Sequence, residues 1–96
     1  MSALTLPEIK LELKKLILNT LNMGTVNPET IRDDVPLLSG DNAITIDSID
    51  VIEVVIAIQK RFGVRMDDQN LARHIVNTID TMAEFVFAQQ QKHGIR

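Results

Sequence analysis

Cysteine is absent from this chain, as are tryptophan and tyrosine. The first absence removes disulfides, thiolate metal sites and any thiol nucleophile of the chain's own. The second, with only three phenylalanines, leaves a core to be built from Leu, Ile, Val and Met, which suits packed helices better than an aromatic-rich sandwich. No apolar run approaches the roughly 20 residues that span a bilayer. Met1-Ser2-Ala3-Leu4-Thr5 lacks the basic region of a signal peptide, so a cytoplasmic location with no membrane partner is expected. Cationic residues are few: ten Lys and Arg stand against thirteen Asp and Glu, a net charge of -3. No Lys/Arg stripe is interleaved with aromatics, which argues against nucleic acid as a partner.

What is present is aliphatic and patterned. With 96 residues, 45% of them hydrophobic, the chain is sized for one small domain over residues 1–96, burying roughly 60 to 70% of its unfolded surface. Order is expected from about residue 5 to 87, with 88–96 as a fraying tail. Thr5-Leu6-Pro7-Glu8 carries a capping-box spacing with Pro in the first turn. Ile9, Leu13, Leu16, Ile17 and Leu21 then recur at helical steps, leaving Glu12, Lys14, Lys15 and Asn19 for water. This first helix should run to about Asn22, with Gly24 as its stop. From Gly24 to Ile46 the density of Pro, Gly, Asp and Asn predicts a long loop. It is held down by Ile31, Val35, Leu37, Leu38, Ile44 and Ile46, with a helical turn near Pro28 to Arg32. A second helix is expected from Ser48, capped by Asp47, to about Arg61, with Gly63 ending it. A short third segment lies within Asp67 to His74, and a last helix follows Thr78 with Ile79, Met82, Ala83 and Val86 inward. The fold class is therefore all-α, a small four-helix bundle of three main helices, one short helix and a long first loop.

The second helix is apolar almost all round. At 100° per residue, Val51, Val54, Val55, Ile58 and Phe62 gather on one side as core. Ile49, Ile52 and Ile56 gather on another, flanked by Glu53, Gln59 and Lys60. Four short helices can hardly cover both faces, so the isoleucine stripe should be partly exposed beside Ser48, as a docking surface is. A hydroxyl in the first helical turn also meets unpaired backbone N–H groups and the positive end of the helix dipole, which favours an anion there.

The run Ile46-Asp47-Ser48-Ile49-Asp50-Val51-Ile52-Glu53-Val54-Val55, with the closing Arg61-Phe62-Gly63-Val64, resembles the modification site of acyl carrier proteins. The resemblance spans nearly the whole chain, but only Asp47 to Val64 is specific. It implies a non-catalytic carrier in which Ser48 is esterified by 4'-phosphopantetheine, and Asp47 helps to engage the phosphopantetheinyl transferase. Ile49, Asp50, Ile52, Glu53 and Ile56 would meet partner enzymes that transfer or condense acyl groups in fatty-acid, lipid or polyketide-type biosynthesis. The acyl chain would lie between helices two and three against Val54, Ile58, Val64, Leu71 and Ile75, each of which also fits plain core packing. A carrier that visits many partners is expected to be a monomer.

Three departures from the family's pattern point to a specialised carrier rather than a housekeeping one of fatty-acid synthesis. Thr45 and Ile46 occupy an approach where glycine is common. Gln59-Lys60-Arg61 replaces the usual acidic end of helix two, which should weaken docking to partners tuned to a strongly acidic helix. The segment from Asp67 to Thr78 is also a few residues longer than usual.

Other signals are weaker. Asp and Ser are common helix starters on their own. Asp41 to Asp47 lacks the ligand spacing, central Gly and terminal Glu of a calcium loop. His74 and His93 have no partners at metal-ligand spacing, and Ser48 has no general base placed by sequence, so neither a metal site nor an enzyme is expected. Two rivals remain at this stage: an aminoacyl or peptidyl carrier with a similar site, and a helical adaptor that uses the isoleucine stripe alone.

Overall fold

A computed structural model describes residues 4–94. They form α1 (Leu6–Thr20), a 3-10 turn (Pro28–Thr30), α2 (Ser48–Phe62), α3 (Gln69–Ile75) and α4 (Ile79–Gly94), with no strand among them. The fold is the expected all-α one. α1 packs on both α4 and α2, and the short α3 leans on α4.

Local chemistry explains the boundaries. Thr5 Oγ1 accepts from the Glu8 N–H at 3.3 Å while Glu8 Oε1 accepts from the Thr5 N–H at 2.7 Å, a reciprocal cap that starts α1. The Thr5 backbone bond, with that from its side chain, holds the Glu8 carboxyl below its ordinary pKa. α1 closes at Asn22 rather than at Gly24. Asn22 takes a left-handed φ of 57°, and the Met23 N–H reaches back to the Leu18 carbonyl at 2.7 Å, satisfying a carbonyl the helix leaves open. At the other end of the chain, Thr78 and Thr81 each accept the other's backbone N–H at 3.0 Å, which sets the start of α4.

α4 extends into the segment expected as a tail. It continues through Ala88 to Gly94 instead of stopping near Phe87. Gln90 supplies a reason, since its side chain both accepts from the Leu4 N–H at 3.4 Å and donates to the Leu4 carbonyl at 3.2 Å. This clasps the last helix to the start of the first. Residues 1–3 and 95–96, with the side chain of His93, lie outside the described part.

The core draws on every segment: Ile9, Leu13 and Ile17 of α1, Val54 and Ile58 of α2, Met82 and Val86 of α4, and Ile31, Leu37 and Ile46 of the long loop are buried. Leu38, expected to help pin that loop, is exposed instead. The pinning comes from hydrogen bonds. Leu37 N–H donates to the Asn77 carbonyl at 2.9 Å and Ile46 N–H to the Leu37 carbonyl at 3.0 Å. The Asn42 side chain donates to the Arg32 and Val35 carbonyls, 2.9 Å each, and accepts from the Arg32 N–H at 2.7 Å. The loop thereby delivers Asp47 to a fixed place.

Lys14, expected to face water, is drawn in. Its Nζ lies 2.6 Å from Asp33, and Lys10 bridges Asp80 at 2.8 Å and Asp33 at 3.7 Å. The network ties α1 to the loop and to the first turn of α4, where a carboxylate also suits the helix dipole. The Asp80 hydrogen bond, opposed by desolvation and helped by the nearby carboxylate charges, raises the Lys10 pKa above its ordinary value of 10.5. A raised folded-state pKa means that this stabilisation is complete below 10.5 and is lost as pH climbs through the folded value. Asp80→Asn should therefore cost about 1 kcal/mol at neutral pH and flatten the alkaline fall in stability, as measured by denaturant unfolding at pH 7 and in the alkaline range.

Candidate functional site

The first turn of α2 is built by two carboxylates. Asp47 accepts from the Asp50 N–H at 2.9 Å, and Asp50 accepts from the Asp47 N–H at 3.2 Å. Ser48, between them, is the first helical residue and is exposed. Sequence reasoning identified the cap but not its reciprocity, because Asp at the third helical position is a less familiar partner than Glu or Gln. The pair has a measurable consequence. Asp47→Ala should remove the cap and cost about 1 kcal/mol, whereas Asp47→Asn keeps it nearly intact while removing the charge. Thermal unfolding distinguishes the two, and any defect of Asp47→Asn in recognition belongs to the charge alone.

α2 divides its apolar residues as its periodicity requires. Val51, Val54 and Ile58 are buried, whereas Ile49, Ile52 and Ile56 are 70%, 60% and 47% exposed. Glu53 is exposed beside them, and Asp50 is partly so. At the far end, Gly63 adopts φ 66° and its N–H bonds to the Gln59 carbonyl, a left-handed turn that glycine takes without a Cβ penalty. Arg61 is engaged within the chain, 3.0 Å from Glu12 of α1 and 5.3 Å from the centre of the Phe62 ring. Lys60 remains exposed there.

Between α2 and α3, next to Ser48, lies a cavity of about 460 Å³. Val51, Ile52, Val55 and Ile56 form its apolar wall, and Met66 also lines it; the Gln59 side chain holds the Met66 backbone N–H at 2.9 Å. Gln69, Asn70, Ala72 and Arg73 of α3 form the opposite, more polar wall. The resemblance would put an acyl chain between these two helices, against a different set of residues. Val54, Ile58, Val64 and Ile75 are buried core residues, Leu71 faces outward, and none of the five lines the cavity. The periodicity of α2 separates core from surface, yet the flank between the two faces is where α3 approaches. Arg73 was also missed: its guanidinium donates to Ser48 Oγ at 3.5 Å across 25 positions of sequence.

Residues 13–86, which include all of α2 and α3 and the cavity between them, match the family described as "Phosphopantetheine attachment site". The chain belongs to that family. No curated protein matched it. Phosphopantetheine-attachment domains are typically carriers without catalysis of their own, served by phosphopantetheinyl transferases and acyl-transfer enzymes.

The hydroxyl's surroundings suit a carrier. Among the described residues the hydrogen-bond partner of Ser48 Oγ is Arg73, a donor that cannot take a proton. No carboxylate or imidazole among the described residues is hydrogen-bonded to Ser48 Oγ in the manner of an activated nucleophile. For the prosthetic group itself the fit is good on three counts. The hydroxyl is exposed at the positive end of the helix dipole, a guanidinium stands 3.5 Å from it, and an adjacent cavity has one apolar wall. No group of three or more His, Cys, Asp or Glu suited to a metal ion occurs among the described residues, and no helix there is long and apolar enough to cross a membrane.

Proposed function

We propose that this chain is an acyl carrier protein, attached to 4'-phosphopantetheine through Ser48 and presenting acyl thioesters to enzymes of fatty-acid, lipid or polyketide-type biosynthesis. The observation that carries the reading is the exposure of Ser48 at the first position of α2, with the isoleucine ridge beside it and the cavity at its side. When bound, the prosthetic group supplies the terminal thiol that this cysteine-free chain lacks.

The chain's residues then have separable tasks. Asp47 and Asp50 hold the first turn open at Ser48 and present negative charge to the transferase. Ile49, Ile52 and Ile56 provide the apolar contact by which partner enzymes dock, with Glu53 and Asp50 beside them. Val51, Val55 and Met66 shelter cargo from water. Because Lys60 stands at the far end of α2 and Arg61 is paired with Glu12, the docking face is acidic only near Ser48, which suits a carrier with its own dedicated enzymes. Incubation with a phosphopantetheinyl transferase and coenzyme A should add one prosthetic-group mass to the wild type and none to Ser48→Ala. An unmodified wild type across several transferases would defeat the reading, and the mass of the species loaded in cells separates acyl from aminoacyl cargo.

A further inference from the structure

The geometry points to Arg73 as the residue that holds the phosphodiester of the prosthetic arm, an assignment that rests on the reading of Ser48 as the attachment point. α3 turns Gln69, Ala72 and Arg73 to one side, the i, i+3, i+4 face, and that side lines the cavity. Burial of Ala72 and Ile75 fixes the rotation of the helix. Arg73 is thereby carried to the rim of the cavity, with a guanidinium nitrogen 3.5 Å from Ser48 Oγ, the atom that would bear the phosphorus.

The charge balance gives this contact a purpose. Asp47 and Asp50 flank Ser48 and are bound to each other's backbone N–H groups, so an anionic phosphodiester would add a third negative charge to a turn that already holds two. The ion pairs among the described residues engage Lys10, Lys14, Arg61 and Arg65, but not Arg73. Its charge is available, and a planar guanidinium fork matches two phosphate oxygens better than an ammonium does. Anchoring the phosphate on α3 also ties together the two walls of the cavity, so the arm would start from a defined direction at its rim.

A thermodynamic cycle tests this. Wild type, Arg73→Gln and Arg73→Lys are each prepared unmodified and after transferase treatment, with intact mass reporting modification. The change in unfolding midpoint on modification should be more favourable in wild type than in Arg73→Gln by about 2 to 5 °C, the scale of one exposed ion pair in a small domain. That difference should shrink in 1 M salt, where screening acts within a few ångströms, and Arg73→Lys should recover part of it. The phosphorus NMR resonance of the arm should move between wild type and Arg73→Gln. Equal midpoint changes and an unmoved resonance in fully modified proteins would overturn the assignment while leaving Ser48 as the attachment point. Failure of the wild type to gain the prosthetic mass would bring down both.

Discussion

Ile52→Asp should leave the fold intact and cripple the loaded carrier, lowering its use by partner enzymes roughly 30-fold. Ile52 is 60% exposed in the free chain, so replacing it removes little packing and leaves no buried charge. Surface substitutions of this kind fall within about 0.5 kcal/mol of neutral. In a complex the same position sits mid-ridge between Ile49 and Ile56, where an apolar anchor is worth about 2 kcal/mol and each 1.4 kcal/mol is a factor of ten. An aspartate would have to be desolvated there without a partner. The measurements are an unfolding midpoint close to wild type, together with a loss in acyl transfer that more enzyme partly restores. Ile52 also lines the cavity, so Ile49→Asp, at a position that does not, distinguishes docking from cargo. A loss shared by both variants belongs to the ridge.

Ile58→Ala, six residues along the same helix, should do the reverse. Ile58 is fully buried and belongs to the shared core. Truncation removes apolar burial and leaves a void that rigid neighbours fill only in part, which costs about 3 kcal/mol. In a domain of this size that lowers the unfolding midpoint by roughly 12 to 24 °C. Ser48 and the ridge are untouched, so below the new midpoint transferase modification should proceed at nearly the wild-type rate. The isoleucines of α2 thus divide between surface and core, and their spacing separates them.

That separation was legible in the sequence because a helix imposes it. Once Asp47 and Gly63 mark the ends of α2, the angular positions of Ile49, Ile52 and Ile56 against Val54 and Ile58 follow from 3.6 residues per turn. The caps at Thr5 and Asp47 were legible for a similar reason, since each bond spans three residues. What escaped was set by contacts distant in sequence. The cavity wall is Val51 and Val55 rather than Val54 and Ile58 because α3, held on α4, stands across the cavity from that flank of α2, and a seven-residue helix with one outward leucine has too little periodicity to announce its rotation. Arg73 reaches Ser48 across the same gap. Lys14 reads as a residue left for water and Gln90 as part of a fraying tail, yet Asp33 and the Leu4 backbone claim them. That last clasp lies within the extension of α4, and no local pattern encodes it.

Three serines could bear the arm: Ser2, Ser39 and Ser48. Ser39 is exposed too, but it lies in the long loop, where its hydroxyl donates to the Pro36 carbonyl at 2.9 Å and accepts from the Asp41 N–H at 3.2 Å. Fragmentation mass spectrometry of the transferase-treated protein addresses the choice directly. The expected spectrum places the whole added mass on Ser48, with Ser2 and Ser39 unmodified. Added mass on Ser39, or a Ser48 peptide that stays at its unmodified mass while the protein as a whole gains the group, would contradict the account.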